Sequence, residues 1–291
     1  MSLAKFEYYT PNSVENACKL LTEQGDGAYI MAGGTDLLVK IHKGAMKAKA
    51  IIDLQKVKGI DGISYEKGKG LTIGAMARLT DVGNHPDIKT KYPAVSKAAL
   101  ATANTQIRNM GTVAGNLCNA APSADNAPVL MVMGAVVTLK SIKGERLVPL
   151  VEFFQGPGMT VIKKGEILTS IFVPEPPNGS GVSYQYLSAR GKVDIAAVCV
   201  GAMVIMDGGI CKDAKIVLGA VAPVPMRAKD AEKVVMGKRL STELLEKLGL
   251  EASRESRPIT DMRASAEYRR ILVAVLSARA IEEAAKNASK K

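Results

Sequence analysis

Polar and apolar positions along the chain fall into blocks with two different periods. From Ser13 to Gly25, the apolar residues Val14, Ala17, Leu20 and Leu21 share one face at helical spacing. The stretch predicts a helix capped by Ser13 and ended by Gly25. "AYIMA" is a short apolar run followed by two glycines, which predicts a buried strand ending in a tight loop. "DLLVKIHKG" predicts a short helix closed by Gly44, and "AIIDL" a second strand, so an opening α/β unit ends near residue 55. "GISYEKGKGLTIGA" alternates around a Gly-Lys-Gly turn and reads as a β-hairpin. "YPAVSKAALATANTQIRN" reads as one helix, and "GTVAGNLCNAAPSADNAP" as a long loop of small and polar residues. A loop of that length inside a compact domain usually has a job. "VLMVMGAVVTLKS", "GERLVPL" and "GEILTSIFVP" return to helix and strand.

The stretch "PEPPNGSG", residues 174–181, cannot continue a regular element and marks a boundary. Beyond it, "VSYQYLSAR", "DIAAVCVGAMVIMDGG" and "ICKDAKIVLGAVA" predict an antiparallel sheet, with Asp207-Gly208-Gly209 as a turn. The tail from Ala228 reads as helical. In its last helix Ser265 stands at the start, and Tyr268, Leu272, Val275, Leu276 and Arg279 follow helical spacing. The expected organisation is α+β in three parts: an α/β unit (1–55), a middle α+β unit (56–175) and a C-terminal sheet with helices (176–291).

Composition sharpens this picture. The 291 residues include no Trp and four Phe, so Val, Ile, Leu, Ala and thirteen Met must fill the core. The net charge of +11 is scattered, with no arginine-rich tract and no interleaved aromatics. That argues against nucleic acid and leaves a solvated surface or a face that docks an acidic partner. Cys18, Cys118, Cys199 and Cys211 show no C-x-x-C spacing, and His42 and His85 have no partners at metal-ligand spacing. No zinc or iron–sulfur site is therefore expected on this chain. Free, scattered cysteines suit a reducing cytoplasm. The start, "MSLAKFEYYT", has no apolar signal core, and the longest apolar stretch, "IAAVCVGAMVIM", is too short to span a bilayer.

No catalytic side-chain motif is present: no G-x-S-x-G, H-E-x-x-H, G-x-x-x-x-G-K-[ST] or G-x-G-x-x-G. Two glycine-containing loops remain. Gly33-Gly34-Thr35-Asp36 lies between a predicted strand and a predicted helix. It is either a simple turn with Asp36 as N-cap, or a set of N–H groups open to an anion. Gly111-Thr112-Val113-Ala114-Gly115-Asn116 opens the long loop that runs through Asn119, Pro122, Ser123 and Asp125. Its hydroxyls, amides, carboxylate and bare backbone suit a polyhydroxyl, phosphate-bearing cofactor that does the chemistry itself.

These two loops, with "EILTSIFVP", "SARGKVDIA" and "PITDMRASAEYRRILVAVLSARAI", resemble the FAD-binding medium subunit of the molybdenum hydroxylases, the xanthine dehydrogenase and aerobic carbon monoxide dehydrogenase relatives. The resemblance covers essentially the whole chain. It implies a two-subdomain FAD-binding fold of the vanillyl-alcohol-oxidase (PCMH) type, followed by a C-terminal flavoprotein domain. It further implies that Ile30, Met31, Ala32, Gly33, Gly34, Thr35, Asp36 and Leu37 wrap the FAD pyrophosphate and ribityl chain, together with Thr112, Val113, Ala114, Gly115 and Asn116. Asn119 and Asp125 of the long loop, Thr102 and Ala103 before "IRN", and the apolar Leu168 complete the set. In relatives an acid at the position of Asp36 lies close to the isoalloxazine. Two departures stand out: Ala114 replaces a usual second glycine, and Tyr186 is nearest to the place of a usual flavin-facing lysine, with Arg190 and Lys192 as alternative cations.

The function so implied is electron transfer. A large partner chain carries the molybdenum cofactor, a small partner chain carries two 2Fe–2S clusters, and this chain passes electrons through FAD to an acceptor such as NAD. The expected assembly is a heterotrimer or a dimer of heterotrimers. The alternatives are a stand-alone FAD-dependent oxidase and a basic nucleic-acid-binding protein.

Overall fold

The first layer is a parallel three-stranded sheet of β1 (Glu7–Tyr9), β2 (Ala28–Met31) and β3 (Ala50–Asp53), ordered β1-β3-β2. The structure, a computed structural model, describes residues 5–191 and 194–289. Helix α1 (Val14–Gln24) begins where the Ser13 hydroxyl accepts the Asn16 N–H at 3.1 Å and ends at Gly25 with φ 61°. Helix α2 (Leu37–His42) follows β2. Central strand β3 is buried throughout, and alternation sends its isoleucines to opposite sides. Ile52 packs with Ala17 and Cys18 of α1, and Ile51 with Ile41 of α2.

The second sheet is antiparallel. Its strands β4 (Ile63–Glu66), β5 (Gly70–Gly74), β6 (Val136–Ser141), β7 (Gly144–Pro149) and β10 (Ile167–Pro174) lie in the order β4-β5-β10-β6-β7. A small hairpin of β8 (Phe154–Gly156) and β9 (Met159–Thr160) precedes β10. Between β5 and β6 the chain winds through α3 (Leu79–Asn84), α4 (Pro86–Lys91), α5 (Pro93–Ala101), α6 (Thr105–Arg108), α7 (Val113–Cys118) and α8 (Asn126–Val132).

Two expectations need correction here. Residues 92–109 are not one helix: α5 stops at Ala101, Ala103 takes φ 48°, and Asn104 caps α6 by accepting the Ile107 N–H at 2.8 Å. Arg108 holds the break, donating from Nη1 to the Thr102 and Ala103 carbonyls at 3.0 and 3.1 Å. The long loop after Gly111 is also not structureless, because it contains α7, started by Thr112.

The third sheet comprises β11 (Ser180–Leu187), β12 (Val198–Asp207), β13 (Ile210–Gly219) and β14 (Met226–Arg227), with β15 (Lys238–Arg239) also paired to β13. Helices α9 (Lys229–Val235), α10 (Thr242–Glu255) and α11 (Ala266–Ala288) follow. Both faces of this sheet are buried. Val198, Val200 and Val204 meet Leu276 and Ala280 of α11 on one side, while Cys199 and Met203 join the core of the middle unit on the other. A Cβ on Gly201 would come within 2.6 Å of the Pro128 backbone, so glycine permits α8 to lie directly on β12. Buried Arg269 of α11 donates to the carbonyls of Ala197 and Ala220 at 2.9 and 2.8 Å and to Asp261 at 2.7 Å. Burial works against ionisation of Asp261. The Arg263 and Ala264 N–H groups and the Arg269 guanidinium outweigh it and hold the carboxyl at about 2.

Candidate functional site

A cavity of about 990 Å³ opens among the loop after β2, the start of α7, the beginning of β10 and loops of the C-terminal unit. That is at the upper end for small-molecule sites. Residues 30–37, Thr102, Ala103, Thr112, Ala114, Gly115, Asn116, Asn119, Asp125 and Leu168 all line it. Val113, also singled out in the sequence, is instead buried in the hydrophobic core.

The loop after β2 leaves a row of N–H groups open. Among the described residues, the amides of Gly33, Gly34, Thr35 and Asp36 find no protein acceptor, while α2 begins with Leu38 N–H donating to the Gly34 carbonyl at 3.1 Å. Gly34 has φ 72°, which favours glycine. Gly33 is constrained differently from the expectation of close approach to a ligand. A Cβ there would sit 2.6 Å from the Met110 carbonyl carbon and 2.8 Å from the Gly111 Cα. Its small size joins the two glycine loops to each other. Of the two readings of this loop, the side-chain N-cap is not seen: the Asp36 backbone is already helical and its side chain accepts no helix N–H, leaving it at the cavity wall.

The second loop is built by capping. Thr112 Oγ1 accepts the Gly115 N–H at 2.9 Å, and Leu79 N–H donates to the Gly111 carbonyl at 2.9 Å. The Ala114 N–H has no protein acceptor among the described residues. Two residues that sequence reading missed tie the walls together. Lys40 of α2 donates to Asn119 Oδ1 at 2.6 Å. Buried Asn126 donates to Asn116 Oδ1 at 3.0 Å and to Thr102 Oγ1 at 3.2 Å, so one amide positions two cavity residues. Lys40 carried a weak signal as a polar residue on a short helix beside the glycine loop. Asn126 carried none.

The C-terminal unit supplies a rim of Ala189, Arg190, Asp194, Ile195, Met262 and Arg263. Met262 is 96% exposed at this rim. Of the two alternative cations, Arg190 lines the cavity. Tyr186 is stacked on Tyr184, with ring centroids 5.7 Å apart, and does not line it; Lys192 lies outside the described residues.

The acids of the wall are not alike. Hydrogen bonds from Arg146 hold Glu166 below its ordinary value, and Arg190 does the same for Asp194. Burial pushes Asp125 up to about 6, partly offset by the hydrogen bond from Tyr184 at 2.7 Å. Among the described residues no His, Cys, Asp and Glu group is placed to hold a metal. The wall offers unpartnered N–H donors at one part, hydroxyls and amides beside them, and apolar Leu168 and Ile167 elsewhere. This donor set fits a large anionic cofactor such as FAD, whose phosphates need N–H groups that the protein does not itself use.

Comparison with known proteins agrees in both halves. Residues 4–176 match the FAD binding domain in molybdopterin dehydrogenase, and residues 183–284 match the CO dehydrogenase flavoprotein C-terminal domain. The chain belongs to the FAD-binding medium subunits of the molybdenum hydroxylases. Among these medium subunits, the carbon monoxide dehydrogenase medium chain of Afipia carboxidovorans is 34% identical over 96% of both chains. The glyceraldehyde dehydrogenase medium chain of Sulfolobus acidocaldarius is 32% identical over 97% of this chain and 99% of its own. A solved structure, reconstituted CO dehydrogenase from Oligotropha carboxidovorans, superposes with a TM-score of 0.94 at 33% identity, covering 99% of this chain and 100% of that one. The fold is therefore a PCMH-type FAD-binding domain followed by the flavoprotein C-terminal domain, as expected from the sequence. This medium subunit is part of an oxidoreductase complex. No helix among the described residues is long and apolar enough to cross a membrane.

Proposed function

We propose that this chain holds FAD in the cavity and serves as the electron-exit subunit of a cytoplasmic molybdenum hydroxylase complex. The observation that carries the reading is the row of N–H groups at residues 33–36, without acceptors among the described residues, in the wall of a cavity of about 990 Å³. In this reading the N–H groups of residues 33–36 and Ala114 hold the phosphates, and Gly115, whose N–H is taken by Thr112, gives the cofactor a wall without a side chain. Thr102, Asn116, Asn119 and Asp125 meet the polyhydroxyl chain, and Leu168 gives an apolar wall that excludes water. Asn126 and Lys40 keep those groups in place through the bonds described above. FAD held by these residues would supply the redox chemistry that links two 2Fe–2S clusters on a small partner chain to an acceptor such as NAD.

Substrate is transformed at a molybdenum cofactor on a large partner chain. Among the described cavity residues no hydrogen-bonded nucleophile–base pair is seen, which supports placing that chemistry elsewhere. Units 1–55 and 56–175 flank the cofactor, and unit 176–291 covers one side. The different substrates in the names of the relatives match a substrate site that lies outside this chain.

Purification of the native protein with its bound chains, followed by metal analysis, tests the reading. Two partner chains with molybdenum and iron are expected. A chain that emerges alone, without either metal, and oxidises a small substrate by itself contradicts it.

A further inference from the structure

We propose that Asp125 is the proton-exchanging group of this cavity, taking up a proton from solvent when the bound cofactor gains negative charge and releasing it when that charge leaves. The inference rests on the reading of the cavity as a flavin site and assigns a role to one residue of its wall.

Asp125 stands just ahead of α8, is 8% exposed and lines the cavity. Its Oδ1 accepts a hydrogen bond of 2.7 Å from the phenol of Tyr184, a wholly buried residue of β11 fixed by its stack on Tyr186. The other acids of the wall are placed differently. Glu166 is gripped by Arg146 through two bonds of 2.7 and 2.8 Å, Asp194 pairs with Arg190 at 3.2 Å, and Asp36 is exposed. Asp125 makes no ion pair among the described residues. The titratable groups that face it are the Tyr184 phenol from β11 and the Cys199 thiol from β12, both pushed further from ionisation by burial. The next residue along the chain is the neutral amide Asn126, which is itself bonded to Asn116 of α7. Among the described residues, therefore, no charged partner fixes its protonation state.

Burial raises the carboxyl to about 6 and the Tyr184 hydrogen bond draws it back down, so the group sits near the working pH range. Negative charge added to the same poorly solvated cavity raises it further, because a like charge nearby disfavours the ionised carboxylate. One-electron carriers deliver electrons without protons. On electron arrival the electrons reside on the cofactor, an O–H bond forms on Asp125 with a proton from solvent, and Asp125 itself is neither oxidised nor reduced. On electron departure the same O–H bond breaks and the proton returns to solvent.

The test is a potentiometric titration of the flavin in the assembled complex between pH 5 and 9, comparing wild type with Asp125→Asn and Tyr184→Phe. In wild type the plot of midpoint against pH should steepen above about pH 6, where the oxidised site has lost the Asp125 proton and reduction restores it. Asp125→Asn should lose the steeper segment. Tyr184→Phe keeps the carboxylate but removes its donor, so the onset should move to higher pH. If Asp125→Asn does not retain flavin, the shift in Tyr184→Phe decides. Identical plots for wild type and the variants that retain flavin overturn the proposal. A wild-type protein that takes up no flavin overturns the reading of the cavity itself, which is a separate result.

Discussion

Gly33→Ala is the sharpest perturbation of the joined loops. The new Cβ would lie 2.6 Å from the Met110 carbonyl carbon and 2.8 Å from the Gly111 Cα, and closer still to the Met110 oxygen. Carbon atoms prefer separations of about 3.5–4.0 Å, so one backbone segment must move by roughly 1 Å. Both neighbours are backbone, so no side-chain rotation relieves the clash. Overpacking of this kind costs about 1–3 kcal/mol. At about 2–4 °C per kcal/mol, Tm should fall by several degrees. The displaced row of N–H groups should also hold FAD at least about tenfold more weakly, the equivalent of about 1.4 kcal/mol.

Gly34→Ala is the control. Its left-handed φ of 72° makes a side chain cost about 1–2 kcal/mol. The nearest atoms to its Cβ, however, are Leu38 Cδ1 and Met31 Sδ, both at 3.2 Å on flexible side chains. Flavin should be retained there better than in Gly33→Ala. Differential scanning fluorimetry and equilibrium dialysis of FAD measure both quantities. The reasoning fails if Gly33→Ala keeps wild-type Tm and affinity, or if Gly34→Ala loses flavin while Gly33→Ala does not.

Two further outcomes follow from the buried charges. Arg269→Ala should cost several kcal/mol in chemical denaturation at pH 7, about 1–3 kcal/mol for each of the Ala197 and Ala220 carbonyls left without a donor, while Asp261 keeps Arg263 and its backbone N–H bonds. Asp261 is depressed to about 2, so its contribution is present above about pH 4 and fades as pH falls toward 2; the difference between variant and wild type should narrow across that window. Asp125 has the opposite sign. Its carboxyl is raised to about 6, so burial of the ionised form opposes folding above that pH and ceases to do so below about pH 4. Asp125→Asn should be more stable than wild type at pH 8, by about 1–3 kcal/mol, with the gap closing toward pH 4. A gap that widens on acidification refutes this assignment.

The sequence showed the elements whose signals are local. Ser13 and Gly25 bound α1, Ser265 opens α11, and the Asp207-Gly208-Gly209 turn joins β12 to β13. It hid features whose cause lies elsewhere in the chain. The helix break at Ala103 depends on Arg108 reaching back to two carbonyls, and the run from Tyr92 to Asn109 has no Pro or Gly inside the break to announce it. Helix α7 is short and made of small residues around a Thr cap, so its composition reads as loop. Gly33 looked like a point of ligand approach, but its small size answers to Met110, far along the chain. The loops were found because glycine and Thr are visible where they stand. The rim of Asp194, Ile195, Met262 and Arg263 was not, because only the packing of the third unit brings it to the cavity.

The central claim is that this cavity holds FAD. Acid release of flavin from the purified full chain and its bound partners, with chromatographic identification and a ratio to protein, tests it directly. Close to equimolar FAD that survives desalting is the expected result. A colourless protein that takes up no FAD on incubation contradicts the account.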